Sequence, residues 1–204
     1  MVLIVIDGLD ASGKSTQALS LYRTLKKNAK MVFLRIHPSD DNLFGVKARQ
    51  FLYLRGKSAH FASAFFYMLD VIRSILLYSW QKYDCIIFVR YLMGTAYLPS
   101  PIHTIAYQFF ASTVPTSDFM FFLDVRPEEA DRRIRQTRDR FEMFENLEEL
   151  EKTRRKALSL AQIGKWRIIN ASKSTRDVKN EITSALEPLF QKLEDSESRY
   201  KNTH

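Results

Sequence analysis

Gly8-Leu9-Asp10-Ala11-Ser12-Gly13-Lys14-Ser15-Thr16 satisfies G-x-x-x-x-G-K-[ST] at every fixed position and directly follows the apolar run Val2-Leu3-Ile4-Val5-Ile6. A glycine-rich turn between a buried strand and a helix aims successive backbone N–H groups at one point, where the helix N-terminus adds partial positive charge. The natural guest is a nucleotide polyphosphate. On this reading residues Gly8, Leu9, Asp10, Ala11, Ser12, Gly13, Lys14, Ser15 and Thr16 form the cofactor cradle. Lys14 reaches the outer phosphates, Ser15 offers its hydroxyl to Mg2+, and Thr16 supports the helix start. The plainer alternative, a tight turn beside a solvated lysine, leaves the joint presence of strand, glycines, lysine and hydroxyl unexplained.

Five apolar runs have strand length and composition: 2–7, 31–36, 85–89, 119–125 and 166–170. Helical patterns separate them, over 14–27, 44–55, 58–81, 101–113, 127–138, 147–162 and 175–193. Strands apolar on both faces and alternating with helices predict an α/β domain of three layers, a five-stranded parallel sheet covered by helices on each side. Residues 1–194 are expected to form this single domain, and 195–204 a polar tail.

Composition narrows the class further. With 46% hydrophobic and 26% charged residues the chain matches an ordinary soluble protein, and no apolar run is expected to reach the roughly 18 residues of a membrane span. The N-terminal apolar stretch lacks a preceding basic segment and runs into the phosphate loop, so it reads as a core strand and the location as cytoplasmic. Cys85 is the single cysteine, which agrees with a reducing compartment. A net charge of +8 favours anionic partners. The densest basic stretch, 132–140, is interrupted by acids, which favours a local phosphate clamp over a nucleic-acid track. Residues 58–81 are apolar on nearly every side. Phe61, Phe65, Met68, Ile72 and Ile75 form one stripe and Ala62, Phe66 and Leu69 another, so the helix must be covered twice, by the sheet and by a pocket or a second subunit. A homodimer is the expectation.

With these features in hand, the chain resembles the thymidylate kinase family of nucleoside monophosphate kinases over about residues 2–190. The carriers are Gly8 to Gln17 with its acidic Asp10; Arg90-Tyr91 after the third strand; Leu123-Asp124-Val125 with Pro127-Glu128-Glu129-Ala130 and Arg132-Arg133-Ile134; Arg138-Asp139-Arg140-Phe141-Glu142; and Asn170-Ala171-Ser172. The resemblance implies a P-loop NTPase fold, ATP as phosphoryl donor with Mg2+, a lid at about 136–146, and transfer to a nucleoside monophosphate, with dTMP the expected acceptor. Lys14, Asp10, Arg90, Arg138 and Arg140 are the implied catalytic residues. Arg90 would hold the acceptor phosphate at the carboxyl end of its strand. Some family members carry an arginine in the phosphate loop where this chain has Ala11, so a lid arginine must supply that charge.

The acceptor side departs from the family pattern. Val89 stands where the motif has an aspartate before Arg90, with Asp124 as a substitute carboxylate or as a cap on its own turn. Tyr97 faces the sugar or packs before Pro99. Tyr67 aligns with the family's aromatic base-site residue, but Val71 replaces the arginine one turn later. Phe66, Asp70 and Arg73 share a helix face, either as an altered base pocket or as a salt-bridged surface. Arg49 is a second candidate for the acceptor phosphate. His37, where the family often has a glutamate, touches the acceptor or is structural. Two rival functions remain: a kinase for a different small acceptor, and a non-catalytic nucleotide-binding protein with a nucleic-acid or protein partner.

Overall fold

The structure, a computed structural model, describes residues 1–28, 31–54, 56–78, 81–137 and 146–193. Arg138, Arg140 and all but the edges of the expected lid lie outside the described residues, as does the 195–204 tail. The strands are β1 (Val2–Gly8), β2 (Val32–Ile36), β3 (Cys85–Val89), β4 (Met120–Asp124) and β5 (Arg167–Asn170). All pair in parallel in the order β2-β3-β1-β4-β5. β1 is central, with Ile6 opposite Val89 on one side and Phe121 on the other. Its carboxyl end therefore opens between β3 and β4, where connections leave in opposite directions and open sheets bind ligands.

The helices are α1 (Lys14–Asn28), α2 (Leu43–Leu52), α3 (Lys57–Tyr78), α4 (Ile102–Thr113), α5 (Pro127–Thr137), α6 (Leu147–Ile163) and α7 (Thr175–Ala185). Alternate strand residues feed opposite layers. Ile4, Ile6, Ile87 and Leu123 pack on α1, α5 and α7 through Leu21, Ile134 and Ile182. Val5, Phe88 and Phe122 pack on α3, α4 and α6 through Val71, Phe110 and Leu160. The expected three-layer sandwich is the fold observed.

Two expectations for α3 change. Its sheet-facing side runs through Tyr67, Val71, Ile75 and Tyr78, whereas Phe61 and Phe65 of the expected stripe are 42% and 56% exposed. The span Phe61–Tyr78 also has mean hydropathy 1.5 over 18 residues, so among the described residues one helix is long and apolar enough to cross a membrane. Asp70 and Arg73 interrupt the run without offsetting its large aliphatic and aromatic side chains. Polar anchors hold α3 in the domain: Ser63 donates to the Ala48 carbonyl at 3.1 Å, and buried Asp70 accepts from the Ser39 N–H at 2.7 Å. Leu76 on α3 and Ile105 and Phe109 on α4 remain exposed.

Candidate active site

The phosphate loop is held from beneath by Asp7, the last side chain of β1 before the glycine. One carboxylate oxygen accepts from the Gly8 N–H at 2.9 Å; the other accepts from the N–H groups of Tyr91 at 2.7 Å and Met93 at 3.2 Å. Burial pushes the Asp7 carboxyl up, and those backbone donors with the Lys14 charge only partly oppose it. Gly8 has φ +152°, and a Cβ there would stand 2.4 Å from the Leu123 carbonyl oxygen, so no side chain fits between the loop and β4. Lys14 donates through Nζ to the Gly8 carbonyl at 2.9 Å and to the Leu9 carbonyl. Ser12 Oγ is buried and meets no hydrogen-bond partner among the described residues, as expected of a loop whose donors face a ligand. Ser15 and Thr16 are exposed on the first turn of α1.

Across the loop, Asp10 joins Lys14 to Arg90 and Tyr97. Its Oδ1 is paired with Arg90 Nη2 and lies 3.9 Å from Lys14 Nζ, while Oδ2 accepts from the Tyr97 hydroxyl at 2.9 Å. Burial alone would raise the Asp10 pKa; the charges of Arg90 and then Lys14, with the hydrogen bonds, overcome it and hold the carboxyl far below the usual range. The same burial, helped by Asp10, pushes the Tyr97 phenol well up, so it stays a donor. Tyr97 belongs to a 3-10 turn, Met93–Tyr97. Four of the sequence-derived candidates, Lys14, Asp10, Arg90 and Tyr97, are thus brought into one cluster.

The remaining candidates line the wall formed by α2, α3 and the loop after β2. Phe66 stacks on Phe51 of α2 with ring centroids 5.7 Å apart and 6° between planes. Arg49 donates to the Pro38 carbonyl at 2.8 Å. Asp70 does not pair with Arg73: it accepts from Ser39 N and Oγ and from Asn42 Nδ2, so the salt-bridged surface is replaced by an anchor for the β2–α2 loop. Arg73 is half-buried, and its Nη1 finds no hydrogen-bond partner among the described residues. The aligned pair behaves differently. Tyr67 donates to the Tyr91 carbonyl at 2.9 Å, with Gly94 so close that a Cβ would stand 2.3 Å from the tyrosine ring. Val71 is buried and lines an apolar pocket with Tyr67, Met68, Leu92, Leu98 and Phe110.

Three contacts join residues far apart in the chain. Arg133 on α5 donates to the carbonyls of Ala11 in the phosphate loop and Ala171 after β5, both at 3.2 Å, joining the two loops. Asp124 neither caps its turn through its side chain nor stands free for a metal: Arg154 of α6 holds it bidentately at 2.6 and 2.7 Å. His37 is fully buried, with Nδ1 3.0 Å from the Arg90 carbonyl and Nε2 3.0 Å from Ser74 Oγ.

A family profile described as thymidylate kinase matches residues 6–182, spanning the phosphate loop, the Asp10–Arg90 cluster and α7 as far as Ile182. The chain belongs to the thymidylate kinase family. A probable thymidylate kinase of Sulfolobus acidocaldarius is 30% identical over 190 residues, covering 90% of this chain and 95% of the relative. A thymidylate kinase of Prochlorococcus marinus is 26% identical over 211 residues, covering 90% and 94%. Among solved structures, the thymidylate kinase of Candida albicans superposes with a TM-score of 0.71 at 19% identity, covering 95% of this chain and 93% of that one, a likeness of fold. Within this family the chain is a nucleotide-binding kinase, and its departure at Val89 is structural as well as chemical. Val89 is fully buried between Ile6 and Ile36 in the sheet, and the backbone just after β3 is bonded by the carboxylate of Asp7 on the neighbouring strand.

Proposed function

We propose that the protein transfers the γ-phosphoryl group of ATP to dTMP, giving dTDP and ADP. The observation that carries this reading is the Lys14–Asp10–Arg90 cluster, which ties the donor loop to the arginine at the end of β3. The reaction joins two polyanions, so the protein's task is alignment and charge compensation. Lys14 turns from the loop carbonyls to the outer phosphates of ATP. Arg90, charged and already oriented by Asp10, holds the dTMP phosphate, one oxygen of which attacks Pγ as the bond to the β-phosphate oxygen breaks. Tyr97 stands beside Asp10 where the sugar enters, and Phe66 on Phe51 offers an aromatic wall to the base. Arg133 fixes the gap between the phosphate loop and the loop after β5 at the base end. Arg138 and Arg140 are proposed as the lid charges on the transferred group.

Mg2+ fits this site through Ser15, whose exposed hydroxyl sits on the first turn of α1. Among the described residues no cluster of three His, Cys, Asp or Glu side chains could hold a metal, which suits an ion ligated mainly by water and phosphate oxygens. When bound, Mg2+ offsets charge on the β- and γ-phosphates. A cytoplasmic location accords with the unpaired, buried Cys85 thiol.

The deciding experiment measures ADP formation from ATP and Mg2+ with each nucleoside monophosphate in turn. Stimulation greatest with dTMP is expected. Stimulation by another monophosphate alone would replace the acceptor, and ATP binding with none would favour the binding-protein alternative.

We also propose a homodimer through the face of α3 that carries Phe61, Phe65 and Leu76, continued by Ile105 and Phe109 of α4. Only 22% of the Phe61–Tyr78 window is buried in the single chain, far too little for so apolar a helix to stay uncovered. Phe65→Glu is expected to convert a dimer to a monomer in sedimentation velocity. A wild-type monomer at tens of micromolar would sink this assignment.

A further inference from the structure

Arg90 has φ +59°, a left-handed backbone that a residue with a side chain adopts only when its surroundings impose it. Three bonds do so. The Arg90 N–H donates to the Ile6 carbonyl at 3.2 Å, the next N–H, of Tyr91, donates to Asp7 at 2.7 Å, and the Arg90 carbonyl faces His37 Nδ1 at 3.0 Å. The first two come from β1 beneath the phosphate loop. The third comes from the residue just after β2, on the far side of β3.

The direction of this third bond is fixed by its partners. A carbonyl only accepts, so Nδ1 carries the proton, and the neutral ring must then accept at Nε2. Ser74 supplies that proton through Oγ at 3.0 Å, and Ser74 Oγ in turn accepts from Arg35 Nε at 3.2 Å. Arg35 is itself clamped by Asp41, through contacts of 2.6 and 2.8 Å, and donates to Ser39 at 2.9 Å. A single directed chain therefore runs from the Arg35 guanidinium through Ser74 and His37 to the Arg90 backbone. Burial keeps the imidazole neutral, lowering its pKa to about 4 against the opposing pull of Asp70.

We propose that His37 is a positioning residue for Arg90: its Nδ1–H holds the Arg90 carbonyl, and with it the left-handed turn that aims the guanidinium at the acceptor. The chain Arg35–Ser74–His37 makes the β2–α2 loop, which forms the acceptor wall, responsive to the same geometry. This rests on the reading of Arg90 as the holder of the acceptor phosphate.

Two amide variants separate the ring's two bonds. In His37→Asn the amide nitrogen can take the place of Nδ1 and keep the bond to Arg90; in His37→Gln the amide oxygen reaches the place of Nε2, accepts from the Ser74 hydroxyl and keeps only that bond. Steady-state kinetics with ATP and dTMP should show the dTMP KM of His37→Gln raised about tenfold with the ATP KM unchanged, and His37→Asn within about twofold of wild type. Equal dTMP KM values in the two variants, or parallel rises for both substrates, would overturn the proposal. Arg90→Ala is run alongside. If it raises the dTMP KM while the His37 variants do not differ, only the role of His37 fails; if it leaves the dTMP KM unchanged, the reading of Arg90 fails and the proposal with it. Should either His37 variant fail to fold, Ser74→Ala carries the test, with a rise of about threefold confined to dTMP expected and an unaltered dTMP KM overturning it.

Discussion

Lys14→Ala is expected to lower kcat by about 10²- to 10³-fold while the protein stays folded, the range found when one preorganised donor is removed from a developing negative charge. The side chain is only 4% exposed, yet its Nζ is spent on two loop carbonyls and a carboxylate 3.9 Å away. Those carbonyls are weak rivals of a triphosphate, so the ammonium is held in reserve within reach of the phosphates. Its loss leaves Arg90 paired with Asp10, and the fold keeps the Asp7 bonds that brace the loop. The melting temperature should therefore fall without loss of the fold, since the bonds given up are those of one ammonium to two loop carbonyls. A folded Lys14→Ala protein with kcat within threefold of wild type would remove Lys14 from the chemistry. A large fall in melting temperature with unchanged kcat would make it a structural residue of the loop.

How much could be read in advance depended on sequence distance. The loop, its strand and α1 are contiguous, so spacing alone placed Gly8, Gly13, Lys14 and Ser15, and apolar runs placed all five strands. Arg90 could be placed because it follows an apolar run, at the carboxyl end of a strand. What failed were pairings across the chain. Asp124 with Arg154, Asp7 with Tyr91, and Ser74 with His37 join residues 30 or more positions apart, and nothing local marks them. On α3 the difficulty was rotational: a helix apolar almost all round gives no phase, so neither the exposure of Phe61 and Phe65 nor the turn of Asp70 toward Ser39 could be chosen over its neighbours. A histidine beside a proline carried no signal of burial; only the tertiary structure shows both ring nitrogens engaged.

That burial has a thermodynamic signature. His37 is held near pKa 4 in the folded protein against about 6.5 in an unfolded chain, because burial disfavours the charged ring by more than its bond to the Arg90 carbonyl favours it. The charged groups facing it are Asp70, which pulls the pKa up, and Arg35, which pushes it down. Between pH 6.5 and 4 the unfolded state binds a proton that the native state refuses. Stability contributed by the neutral ring is therefore complete above pH 6.5 and drains away as the pH falls, by about 1.4 kcal/mol per unit. Asp10 and Asp41, both depressed, hold their contributions until the pH drops below about 4, outside this window. Asp7, whose carboxyl is raised, acts in the opposite sense inside it, so the wild-type curve alone mixes two effects. The difference between wild type and His37→Asn cancels Asp7 and isolates the imidazole. Urea unfolding at intervals from pH 7.5 to 5 should show the wild-type advantage over His37→Asn shrinking by about 2 kcal/mol between pH 6.5 and 5. Parallel curves would mean that the ring takes up its proton equally in both states, and a neutral Nδ1–H latch on Arg90 could not then be the resting form of the site.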